Sequence, residues 1–71
     1  MAVRYIAIYE KTDTGYSAYV PDLPGCITTG VTLDEAKLNM HEAISGHVQA
    51  MKEHGEHVPE PTTVAAEQMA V

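Results

Sequence analysis

The segment from Val3 to Glu10, VRYIAIYE, constrains this chain more than any other stretch. Side chains of an extended strand alternate between faces, so Tyr5, Ala7 and Tyr9 share one face while Ile6 and Ile8 share the other. A strand wetted on one side alternates apolar with polar residues, and this one is apolar on both. It is expected to lie at the centre of a sheet, or to have its second face covered by another subunit. Lys11-Thr12-Asp13-Thr14-Gly15 is turn chemistry of hairpin length. Tyr16 to Val20 then returns as a second strand, ended by Pro21, which cannot donate to a ladder. Asp22 to Gly25 forms a tight bend, Cys26 to Thr29 makes a short third strand, and Gly30 ends it.

The pattern then changes period. Thr32-Leu33-Asp34-Glu35 is a capping box, in which the Thr32 hydroxyl accepts from the Glu35 amide and the Glu35 carboxylate reaches back to the Thr32 amide. Ala36, Met40, Ala43, Ile44, His47, Val48 and Met51 recur at helical spacing, which predicts a helix over about Leu33 to His54 with that face on the sheet. Lys37, Asn39, Glu42, Ser45, Gln49 and Glu53 form the opposite face, and Gly55 followed by Pro59 and Pro61 ends the helix. In the tail, Thr62, Thr63, Val64 and Val71 favour strand whereas Ala65, Ala66, Gln68 and Met69 favour helix. A right-handed crossover can lay a final strand parallel to the first, so residues 62–71 are expected to be a fourth strand. The fold class is α+β in the order β-β-β-α-β, with the long helix on one sheet face and residues 1–71 forming a single domain.

Seventy-one residues bury a small core, and domains of this size usually recruit a disulfide, a metal or a second subunit. A single cysteine, Cys26, excludes an internal disulfide, and no Cys/His quartet suggests zinc, so a homo-oligomer, dimer or tetramer, is expected. Ten Asp and Glu against four Lys and Arg give a formal charge of −6, which repels phosphate backbones and anionic lipid; direct binding to nucleic acid or membrane is not expected. No apolar run reaches membrane-span length and no signal peptide precedes the first strand, which predicts a cytoplasmic protein.

Pro21-Asp22-Leu23-Pro24-Gly25-Cys26, then Thr29 to Ala36 (TGVTLDEA), then Val58-Pro59-Glu60-Pro61 are the residues through which the chain resembles the N-terminal domain of HicB-like antitoxins, over roughly residues 3 to 62. The resemblance implies a partial ribonuclease H-like fold that oligomerises and, in antitoxins, binds and masks a small basic messenger-RNA-cleaving toxin of the HicA type. Many members continue into a DNA-binding domain; with an end at Val71, no such domain and no promoter binding are expected. The family also has solitary members, so the alternative is an oligomeric domain that binds another protein or a small ligand without a toxin.

Chemistry of its own is not expected. A two-metal nuclease site needs clustered carboxylates, one from mid-strand, whereas the first strand offers Tyr5, Ile6, Ala7 and Ile8 there and Glu10 only at its end. His41 and His47 fall on different helix faces, His47 and His54 lie two turns or about 10 Å apart, and His54 and His57 straddle Gly55, so no metal site is expected. Cys26 follows a turn and is expected to be a buried small hydrophobe rather than a nucleophile, and no cofactor is implied. Pro21, Asp22, Leu23, Pro24, Gly25, Cys26, Gly30, Thr32 and Glu35 are read as structural: Asp22 caps its own turn and Pro24-Gly25 occupies the centre of a type II turn. Tyr5, Tyr9, Tyr16 and Tyr19, with Asp22 as a partner contact, are the candidate interface, because amphipathic rings favour subunit and partner surfaces.

Overall fold

The computed structural model describes residues 3–71. Three strands, β1 (Ile8–Lys11), β2 (Tyr16–Tyr19) and β3 (Ile27–Gly30), precede one helix, α1 (Leu33–Glu53). The sheet is antiparallel in the order β1-β2-β3, with Ile8 opposite Tyr19 and Tyr19 opposite Ile27. The α+β class and the three-strands-then-helix order are as the sequence predicts. The strand expected to be central is an edge strand, and its paired part begins at Ile8 rather than Val3. Pro21 accounts for where the pairing begins. Val20 donates to the Cys26 carbonyl and accepts from the Leu23 amide, and Pro21, the next residue in phase to face β1, has no N–H.

Helix α1 lies over β3 and β2. Ala36 and Met40 are fully buried, and Ala43, Ile44, Val48 and Met51 pack on a core of Ala18, Val20, Leu23, Cys26 and Met40. Tyr5, Ala7 and Tyr9 join from the first strand segment, as the alternation requires. The helix starts where the Thr32 hydroxyl accepts from the Glu35 amide at 3.1 Å. The reciprocal half of the box differs from the expectation: the Glu35 carboxylate accepts from the Val31 amide at 3.3 Å, one residue upstream of Thr32. At the other end His54 is the cap residue, and past it the Glu56 amide donates to the Met51 carbonyl at 2.8 Å while Gly55 donates to Lys52, closing a Schellman motif.

Gly30 sits where β3 meets the helix start. A Cβ there would fall 2.5 Å from the Ala36 amide nitrogen, so only glycine lets the two backbones approach. Asn39, expected on the solvent face, is half-buried and donates to the Thr29 carbonyl at 2.9 Å, tying the helix to β3. The expected fourth strand is not formed: residues 56–71 have no regular structure. The residues that would open such a strand spend their amides elsewhere, as described next.

Candidate interaction surface

The stretch from Pro21 to Cys26 folds as two consecutive turns. Leu23 donates to Val20 at 3.1 Å and Cys26 to Leu23 at 3.0 Å, which places Pro24 and Gly25 at the centre of the second turn. Gly25 has φ +83°, the left-handed value that the third position of a type II turn requires. The turns drive Leu23, 1% exposed, into the core. Cys26 is buried as a small hydrophobe, and burial pushes its thiol pKa up, away from the nucleophilic thiolate.

Asp22 does something the sequence did not disclose. Its carboxylate bonds to Thr62 and Thr63, forty residues away, rather than to its own turn. The Thr63 amide donates at 2.9 Å and the Thr62 amide at 3.2 Å, with the Thr62 hydroxyl at 3.0 Å and the Thr63 hydroxyl at 3.3 Å. The Thr63 amide is the main reason the Asp22 carboxyl titrates below its ordinary value; desolvation, the next largest influence, opposes it, and the other Thr62 and Thr63 bonds add to the lowering. Nearby the Tyr5 hydroxyl donates to the Pro59 carbonyl. Val58 to Thr63 is therefore a strap held at Tyr5 and Asp22. Pattern analysis misses it because four bonds to one carboxylate leave no periodic trace.

The four tyrosines do not form one surface. Tyr5, Tyr9 and Tyr16 occupy the helix side of the sheet, where burial raises the Tyr9 pKa and the Lys11 ammonium sits 5.4 Å from the centre of the Tyr16 ring. Tyr19 alone faces the other way. There it forms a row with its cross-strand partners Ile8 and Ile27, the last 69% exposed. Ser17, Glu10 and Thr29 continue this open face. Leu38 and Val31 are exposed as well.

Of the histidines, His47 is half-buried beside Gly25 and the other three are exposed. Among the described residues no three His, Cys, Asp or Glu side chains gather closely enough to hold a metal ion, and no helix is long and apolar enough to cross a membrane. What the surface offers is contact area and negative charge.

Residues 5–70 match the model of the HicB_like antitoxins of bacterial toxin-antitoxin systems. The chain belongs to this family. As a HicB-like antitoxin it is 45% identical over 60 residues to an uncharacterized 14.9 kDa protein of Haemophilus phage HP1, and 41% identical over 58 residues to a UPF0150 protein of Thermoplasma acidophilum. The first match covers 84% of this chain and 45% of the phage protein, the second 80% and 84%. The chain thus spans a little under half the length of the phage relative. Among solved structures, a chain of a HicA3 and HicB3 toxin-antitoxin complex superposes with a TM-score of 0.75 at 32% identity, covering 84% of this chain and 70% of that one.

Proposed function

We propose that this antitoxin neutralises a small basic messenger-RNA-cleaving toxin of the HicA type, in the cytoplasm, by covering the surface on which the toxin engages RNA. The observation that carries the reading is the likeness, 32% identical with a TM-score of 0.75, to a chain of a toxin-antitoxin complex. Charge supports it. With a formal charge of −6, this chain competes with an RNA phosphate backbone for a cationic cleft without catalytic residues of its own. Tyr19 with Ile8 and Ile27, and the exposed carboxylates Asp34, Glu35, Glu42 and Glu53 of α1, supply the apolar and acidic contacts. Cells expressing the tagged chain should yield a co-purifying small basic protein whose RNA cleavage stops on adding the chain. Undiminished cleavage at saturating antitoxin would refute the masking mechanism, and recovery of only an acidic partner or a small ligand would favour a solitary binding domain.

A further inference from the structure

Between its two ties the strap crosses open space. Val58, Pro59 and Glu60 wall one side of a cavity of about 280 Å³. Val3 and Tyr5 of the first strand segment and Val48 and Lys52 of α1 wall the rest. Pro59 and Pro61 each have a fixed φ, and among the described residues the backbone from His57 to Pro61 makes no hydrogen bond to other backbone. The strap is therefore held over the cavity by Tyr5 and Asp22 and does not collapse into it. A space of this size is smaller than the pockets that take drug-sized molecules, so its occupant is small. Charge selects which small molecule. Lys52 brings an ammonium from the helix wall and Glu60 a carboxylate from the strap wall, with the valines between them. A simple anion would suit Lys52 but meet Glu60 and a chain at −6, and a simple cation would suit Glu60 but meet Lys52. A molecule carrying both charges beside an apolar body satisfies both walls.

We propose that this cavity binds one free α-amino acid with an aliphatic side chain, its carboxylate toward Lys52, its ammonium toward Glu60 and its side chain among Val3, Val48 and Val58. Because Val58 and Glu60 belong to the strap, the bound amino acid adds a third tie between the strap and the helix. Binding and strap closure are then linked. Whatever factor the Asp22 clamp contributes to affinity, the amino acid returns to the closed strap. The site goes beyond the antitoxin reading and does not depend on a toxin.

Titrating L-leucine into the full chain tests this, with the amide resonances of Val48 and Val58 reporting occupancy and hydrogen exchange at Thr62 and Thr63 reporting the strap. Leucine should shift the first pair saturably and slow exchange at the second. Glycine, isocaproate and isoamylamine lack the side chain, the ammonium and the carboxylate in turn, and each should bind on the order of ten-fold more weakly. Lys52→Gln and Glu60→Gln, both at exposed positions, should weaken leucine by a similar factor. Lys52→Gln should leave isoamylamine binding undiminished, and Glu60→Gln should do the same for isocaproate, which a general loss of fold would not. Asp22→Ala, with its fold checked by circular dichroism, should weaken leucine and remove the protection leucine gives to Thr62 and Thr63. No saturable shift at millimolar leucine, isocaproate or isoamylamine binding as tightly as leucine, or unaltered leucine affinity in both glutamine variants would overturn the site. Unaltered leucine affinity in Asp22→Ala would overturn its link to the strap.

Discussion

At Asp22 a single carboxylate ties down a segment that has no regular structure of its own. Its folded pKa is depressed, so the contribution to stability is present above the unfolded pKa and is lost as pH falls through the folded one. Acidification below the ordinary carboxylate range should therefore free the strap before the core melts. Hydrogen exchange at the Thr62 and Thr63 amides should speed up there while Met40 stays protected, and Asp22→Ala should give the fast exchange at neutral pH. Simultaneous loss of protection at both places would show that the strap is no separate unit. Gly25 is the other residue with a decisive local role. At φ +83° any L side chain is strained, so Gly25→Ala should cost on the order of 1–2 kcal/mol in urea unfolding. Gly30→Ala should cost more, since its Cβ would overlap backbone rather than a flexible side chain.

The helix is the element most legible in the sequence, because its signals are local. Thr32 and Glu35 mark the start, the apolar recurrence from Ala36 to Met51 marks the buried face, and Gly55 marks the end. Thr32→Ala should cost about 1 kcal/mol, the usual worth of an N-cap, read from the urea midpoint at unchanged slope. Met40→Ala, emptying a fully buried position, should cost about 2–5 kcal/mol. The strands were legible as strands but not in their order. Alternation reports which faces are apolar and says nothing about which neighbour is present, so Val3 to Glu10 suggested a central strand, or one covered by a second subunit, and the sheet order β1-β2-β3 leaves it at the edge. Asn39 and the strap escaped for a related reason. Asn39 rests on one bond across ten residues and the strap on four bonds to one carboxylate across forty, which no spacing rule registers. The tyrosines clustered in sequence yet divide between the two sides of the sheet, because Tyr16 and Tyr19 differ by an odd number of residues.

For the molecule as a whole, charge and topology are the governing quantities. An antitoxin at −6 meeting a cationic partner should associate faster at low ionic strength, while dissociation answers to the desolvated apolar contacts. Stopped-flow association with a basic toxin should slow steeply as salt rises, and a rate indifferent to salt would refute electrostatic steering. The strap has a further consequence, for the order of assembly. The hairpins and the helix join residues near one another along the chain, whereas the Asp22 link closes a span of forty. Closing spans of forty residues to Asp22 and fifty-four to Tyr5 costs chain entropy and returns only a few exposed or half-buried bonds. The strap is accordingly the last piece to dock when the chain folds and the first to lift when it opens, so a nascent chain completes its core with the Val58 to Thr63 segment still searching for its carboxylate.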